Sequence, residues 1–237
     1  MNIAIIIAAG TGQRMRQDIP KQFLNVNDKP IIIYTLEAFQ QHPNIDEIGV
    51  VCLEGWQDIV QAYAKQFKIT KLSWIIKGGE TGQASIRNGV LEAEKRYADD
   101  AIVLVHDAVR PMVSFDIISD CIVTAQKYGS AVAGVPCNTV VLKTTSKEYS
   151  KEVDPRNQLI LTQTPQAFPL KKLIWAHRTA LERGITDSIA SCTLMVELGE
   201  KVYFSAGAET NIKLTTQGDM LIFKALLAVK EKNGYVH

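Results

Sequence analysis

The feature that most constrains this chain is an alternation, almost from end to end, of short apolar runs with amphipathic stretches of helical period. Ile3–Ala9, Ile48–Leu53, Ser73–Ile76, Ala101–Val105 and Ala131–Pro136 contain no charged residue. Near-continuous apolar runs of this length predict strands buried on both faces, as in a parallel sheet. Between them, Trp56, Ile59, Val60, Tyr63 and Phe67 form one helical stripe, and Ile117, Ile118, Cys121, Ile122 and Ala125 form another. Pro30 suits the first turn of a helix through Tyr34 and Phe39. Further helices are expected over Leu170–Arg183, Asp187–Leu198 and Gln217–Lys232. The fold expected is α/β: a doubly wound, mostly parallel, Rossmann-like sheet that binds ligands at the carboxyl ends of its strands.

The alternation breaks between Asn138 and Thr164. Two strand-like runs, Thr139–Lys143 and Gln158–Thr162, flank the polar stretch Thr144–Asn157. This predicts a protruding β-hairpin arm over 138–164, too polar to be core. A lone two-stranded arm is marginal in water, so it is expected to pack on a second copy and make a homodimer. No internal repeat or low-complexity linker divides the 237 residues, so a single domain over 1–237 with an arm is the simplest organisation.

With 26 basic and 25 acidic side chains the formal net charge is +1. That balance argues against nucleic acid or a membrane surface as partner, and an anionic ligand must be held by a local cluster. Cys52, Cys121, Cys137 and Cys192 are widely spaced, with no metal-binding pair, and read as buried thiols of a reducing compartment. The run at Ile3–Ala9 is preceded only by Met1 and Asn2 and is too short to span a bilayer. A cytoplasmic location is expected.

Chemistry concentrates first in Ala8-Ala9-Gly10-Thr11-Gly12-Gln13-Arg14-Met15, which follows the first apolar run, and in Pro20-Lys21-Gln22-Phe23-Leu24. A glycine-rich loop after a strand can bring backbone N–H groups against a triphosphate. Arg14 and Lys21 add positive charge beside it. A plain β-to-α turn with two solvated cations would use the same residues. The loop lacks Gly-Lys-Ser/Thr, so it is no P-loop, and Met15 stands where the dinucleotide fingerprint wants glycine or alanine. His106-Asp107-Ala108-Val109-Arg110-Pro111 follows the run Ala101–Val105, which puts Asp107 and Arg110 at a ligand-binding strand end. A carboxylate there can bond substrate hydroxyls or help hold Mg²⁺ near a triphosphate, and Arg110 can grip a phosphate through two parallel hydrogen bonds. A structural Asp–Arg pair is the competing reading. His106 is expected to be a packing residue. Gly78–Ser85 lies between a strand and a helix that Thr81 can cap.

In order, AAGTGQRM with PKQFL, GGE at Gly78–Glu80, HDAVRP at His106–Pro111, TQTPQAF at Thr162–Phe168 and NIKLTT at Asn211–Thr216 span nearly the whole chain. Together they resemble the cytidylyltransferases that act on methylerythritol phosphate and ribitol phosphate. The resemblance implies nucleotide binding by Ala8, Ala9, Gly10, Thr11, Gly12, Gly79, Glu80, Ser85 and Asp107. It implies catalytic cations at Arg14, Lys21 and Lys213, and acceptor binding by Asp107, Arg110, Thr139, Arg156, Thr164 and Thr186. Arg156 would reach the neighbouring subunit's site. Mg²⁺ would travel with the CTP phosphates, with Asp107 as a possible ligand.

The reaction implied is in-line attack of the acceptor's phosphate oxygen on the α-phosphorus of CTP, with pyrophosphate leaving. Such an acceptor is already anionic and needs no strong base; the demand is to neutralise a crowded negative transition state. The sequence departs from the family pattern in three places. Gly82 replaces an arginine often found two positions after Glu80, Asn138 precedes Thr139 where aspartate is usual, and the Asp187–Leu198 helix is about three residues longer. The last two tilt the acceptor toward a polyol phosphate such as ribitol or arabinitol phosphate. Methylerythritol phosphate is the alternative. A sugar-1-phosphate nucleotidyltransferase using UTP or dTTP, which HDAVRP and the arm disfavour, and a non-catalytic nucleotide-binding protein complete the alternatives.

Overall fold

A computed structural model describes residues 1–10, 19–146 and 148–232. The first apolar run forms β1 (Asn2–Ala8). A two-residue pair, β2 (Asn25–Val26) and β3 (Lys29–Pro30), precedes α1 (Ile31–Gln41), which begins one residue after Pro30. Then β4 (Glu47–Cys52), α2 (Gln57–Gln66), β5 (Leu72–Lys77), α3 (Gly82–Glu94), β6 (Ile102–Asp107), α4 (Phe115–Tyr128) and β7 (Ala131–Pro136) alternate as the pattern predicts. Beyond these lie β8 (Val141–Lys143), β9 (Glu152–Asp154), β10 (Ile160–Pro169), α5 (Leu170–Glu182), α6 (Ser191–Glu197), β11 (Phe204–Ala206) and α7 (Gln217–Lys232).

The main sheet has seven strands in the order β11-β7-β10-β6-β1-β4-β5. Every neighbouring pair is parallel except those that β10 makes with β6 and β7. Alternation along β1 shows why both faces must be apolar. Ala4, Ile6 and Ala8 pack with Leu36, Phe39, Val60 and Ile118 on one side, and Ile3 and Ile5 with Val90, Leu173 and Met195 on the other. Helices therefore cover both faces. A satellite cluster of Val26, Ile31, Val109, Leu214, Phe223 and Leu227 docks α7 beside the β2–β3 turn. Among the described residues no helix is long and apolar enough to cross a membrane.

Three expectations are corrected. The arm is not a pairing of Thr139–Lys143 with Gln158–Thr162. Val141–Lys143 pairs instead with Glu152–Asp154, inside the polar stretch. The second run belongs to β10, which continues to Pro169 through the core sheet. Its polar residues are accommodated by a register shift between Thr162 and Gln166 and by internal hydrogen bonds of Gln163 and Gln166. The Asp187–Leu198 helix is real only from Ser191 onward. Upstream, the backbone N–H groups of Ser188 and Ala190 donate to the side chains of Gln83 and Thr193, which holds the segment out of a helix.

Candidate active site

A cleft of about 590 Å³ opens where β1 and β6 end and the outer part of β10 passes them. Ala8, Ala9 and Gly10 form one wall. Gln22, itself buried, donates its side-chain amide to the carbonyls of Ala8 at 2.7 Å and Gly10 at 3.0 Å. That anchor fixes the start of the glycine-rich loop and places the neighbouring Lys21 in the cleft lining.

The turn after β5 forms a second wall. A Cβ on Gly78 would come within 2.3 Å of Ala9 Cβ, so glycine lets the two loops approach, and one on Gly79 would come within 2.9 Å of the Ala84 backbone, so glycine lets the turn fold back on α3. Thr81 caps α3 by accepting from Ala84 N at 3.1 Å. Ser85 Oγ accepts from Gly79 N at 3.1 Å and donates to Thr81 O at 3.0 Å, so it shapes the turn from within. Gly79, Glu80 and Ser85 all line the cleft.

The third wall carries the charge. Asp107, the last residue of β6, accepts from Lys213 Nζ at 3.0 Å through Oδ1 and from Arg110 Nε at 3.2 Å through Oδ2. Arg110 also donates to Asn211 O at 2.7 Å. Burial alone would push the Asp107 carboxyl up, but Lys213 and Arg110 together hold it below the usual carboxylate range. The carboxylate is therefore ionised at neutral pH.

Behind it runs a chain of bonds whose directions follow from donor inventory. The Asp107 N–H donates to Thr164 Oγ1 at 3.1 Å, Thr164 meets His106 Nδ1 at 3.1 Å, and His106 Nε2 meets the Arg110 carbonyl at 3.2 Å. A carbonyl only accepts, so Nε2 carries the proton and Nδ1 accepts from the Thr164 hydroxyl. Burial pushes the His106 imidazole down to about 4, which keeps it neutral. His106 packs at 5.0 Å on Phe39 and is the packing residue that the sequence suggests.

Of the residues expected at the site, Ala8, Ala9, Gly10, Lys21, Gly79, Glu80, Ser85, Asp107, Arg110, Thr164 and Lys213 share this one cleft. Thr11, Gly12 and Arg14 lie outside the described residues. Thr139 and Arg156 do not line the cleft of their own chain. Both are exposed at the root of the arm, where Arg156 Nη1 reaches Asn138 O at 3.5 Å. Thr186 lies outside the lining too, its carbonyl accepting from Thr81 Oγ1 at 3.4 Å. Sequence reasoning missed Gln22 and Gln163. Gln163 donates to Ala208 O at 2.8 Å and accepts from Asn211 Nδ2 at 3.1 Å, tying the segment before Lys213 to β10. Their places within PKQFL and TQTPQAF are the only sequence signal for either.

A family model described as 2-C-methyl-D-erythritol 4-phosphate cytidylyltransferase (IspD) matches residues 2–229. The chain is 46% identical to a ribitol-5-phosphate cytidylyltransferase of Lacticaseibacillus paracasei, over 98% of this chain and 100% of the relative. It is 38% identical to a 2-C-methyl-D-erythritol 4-phosphate cytidylyltransferase of Clostridium botulinum, over 95% of this chain and 97% of the relative. The crystal structure of the 2-C-methyl-D-erythritol 4-phosphate cytidylyltransferase from Thermus thermophilus superposes with a TM-score of 0.76 at 28% identity, covering 94% of this chain and 98% of that one. With a charged cleft at the strand ends and a family model running through nearly its whole length, the chain belongs to the 2-C-methyl-D-erythritol 4-phosphate cytidylyltransferase (IspD) family and is a nucleotidyltransferase.

Proposed function

We propose that this protein transfers CMP from CTP to the phosphate of a phosphorylated sugar alcohol, ribitol or arabinitol phosphate or a close analogue, giving a CDP-polyol and pyrophosphate. The observation that carries the reading is the meeting of Lys21, Lys213, Arg110 and Asp107 in one cleft whose opposite wall is a glycine turn. Two polyanions must be brought together there, and preorganised cations are what lowers that barrier. Lys21 and Lys213 are assigned to the charge developing at the α-phosphate, and Arg110 to the acceptor's phosphate. Backbone groups of Ala8–Gly10 and Gly79, which line the same cleft, are assigned to the pyrimidine base.

The polyol acceptor is supported by the 46% identity to a ribitol-5-phosphate enzyme over full length and by Asn138. Methylerythritol phosphate is the second reading, favoured by the family model and by relatives at 38% identity.

Mg²⁺ fits this donor set in one way. No group of three or more potential ligands exists among the described residues, and both oxygens of Asp107 already face cations. A metal bound chiefly by phosphate oxygens needs no more than one protein carboxylate, and Asp107 is the residue that would supply it. Such an ion would add positive charge at the transferring phosphoryl group.

The arm supports a homodimer. Val140, Leu142, Tyr149 and Val153 are more than half exposed on a two-stranded element with no core of its own. A second chain is the partner that would cover them and receive Arg156.

Pyrophosphate release measured with each of the four nucleoside triphosphates, against ribitol, arabinitol and methylerythritol phosphates, tests the reading. CTP with a pentitol phosphate should give the highest kcat/KM. Equal kcat/KM for CTP and UTP would remove the cytidine assignment. Preference for methylerythritol phosphate would select the second reading.

A further inference from the structure

The segment that leads from α5 into the first residue of α6 carries two side chains for which the reading above has no use. Ser191 is 2% exposed, lines the cleft, and its Oγ has no hydrogen-bond partner among the described residues. A buried hydroxyl without a partner is unfavourable unless a ligand completes it. Two residues away, Ile189 lines the same cleft and is 90% exposed.

Neither position is on a loose loop. Ser188 N donates to Gln83 Oε1 at 2.6 Å and Ser188 Oγ to Glu197 at 2.5 Å. Gln83 Nε2 donates to Ile185 O at 2.7 Å, and Cys192 N donates to Gln166 Oε1 at 2.9 Å. The segment is thereby fastened at one end to the helix that follows the glycine turn and at the other to β10, the strand that carries Thr164. An isoleucine fixed in this way over a polar cleft exposes apolar surface that a bound molecule would cover.

We propose that Ser191 and Ile189 contact the carbon chain of the acceptor. Ser191 Oγ hydrogen-bonds one of its carbinol hydroxyls, and Ile189 covers the C–H face of the same chain. A polyol phosphate offers both surfaces at every carbon that does not bear the phosphate. This deepens the reading of the cleft as a cytidylyl-transfer site and rests on it.

The test compares wild type with Ser191→Ala and Ile189→Ala, with ribitol 5-phosphate and methylerythritol phosphate assayed in parallel. Because Ser191 Oγ has no partner among the described residues, its removal should leave Tm unchanged or raised. It should raise the acceptor KM about fivefold to tenfold, as for one neutral hydrogen bond, with the CTP KM within twofold. Ile189→Ala should raise the acceptor KM about threefold or more, with the same sedimentation behaviour as wild type. An acceptor KM within twofold of wild type, a CTP KM that rises instead, or a Tm that falls in Ser191→Ala would overturn the assignment. So would loss of the oligomer in Ile189→Ala. If wild type uses methylerythritol phosphate rather than the pentitol phosphate, it is the acceptor reading that fails. The Ser191 and Ile189 assignment is then judged by the same KM split on that acceptor.

Discussion

Lys213 Nζ stands 3.0 Å from Asp107 Oδ1, although the two are 106 positions apart in the chain. The same carboxylate holds Arg110, so one anion sets the resting position of two cations at the mouth of the cleft. Asp107→Asn keeps the shape and removes the charge that orders them. It should lower kcat/KM about tenfold to a hundredfold. Lys213→Ala should do at least as much, and the double variant should fall well short of the product of the single losses, because the two residues act as one unit. Steady-state kinetics on the three variants checks this, and strictly multiplicative losses would show that the contact is idle in turnover.

Lys21 lines the cleft next to Gln22, whose buried amide anchors the glycine-rich loop. Lys21→Ala should lower kcat by roughly 10²-fold, the scale of losing one transition-state donor, with an unchanged thermal midpoint. Gln22→Ala should act differently, lowering both stability and activity, since it removes the shortest donor to the Ala8 carbonyl and the bond that ties Gly10 to it. Turnover within about threefold of wild type in Lys21→Ala would remove it from the chemistry.

Arg156 is absent from the cleft of its own chain, which is what a residue serving a partner's cleft requires. Arg156→Ala should raise the acceptor KM, at a cost of roughly 1.5–3 kcal/mol for a charge-assisted contact, and leave the CTP KM nearly untouched. Mixing Arg156→Ala with Lys21→Ala subunits should restore activity toward half of wild type per heterodimer, because one site then carries both defects and the other neither. Heterodimers without recovered activity would show that Arg156 serves no site across the interface.

His177 is 2% exposed and both its ring nitrogens lack a partner among the described residues. Burial, with a smaller contribution from Arg87, pushes it down to about 4, and burial does the same to His106. Both titrate near 6.5 when unfolded, so the folded chain binds fewer protons between those limits. Stability should therefore be complete above about pH 6.5 and fall as pH drops toward 4, by up to roughly 3 kcal/mol for each imidazole. Denaturant unfolding at a series of pH values should show this slope, and His177→Leu should flatten it. A slope unchanged in that variant would mean that His177 does not titrate with unfolding.

The periodicity of apolar residues was enough to read the parallel part of the sheet and both helical layers, because strands buried on two faces leave a strong signal. β10 was not legible in the same way. Its middle runs through Gln163, Thr164, Pro165 and Gln166, which carry no apolar run, and hydrogen bonds to Ala208, Cys192 and Asn211, with one between Gln166 and Gln163, make their burial tolerable. The stretch 187–190 reads as helix because Ile189, Cys192 and Val196 have helical spacing, while the bonds that prevent it come from Gln83, about a hundred residues earlier. At the site, Asp107, Arg110, Lys21 and Lys213 were found through short motifs. That they meet, and that Thr139, Arg156 and Thr186 stand apart from them, depends on chain crossings that spacing alone does not encode.

Gln83 has a consequence for anyone who would transplant acceptor preference between members of this family. Its one amide satisfies Ile185 O and Ser188 N, so residues 185–191 are not a self-sufficient module. Grafted alone, the segment would arrive with a carbonyl and an N–H left bare and would resettle. The smallest unit that can be exchanged is discontinuous, pairing this loop with the first turn of α3.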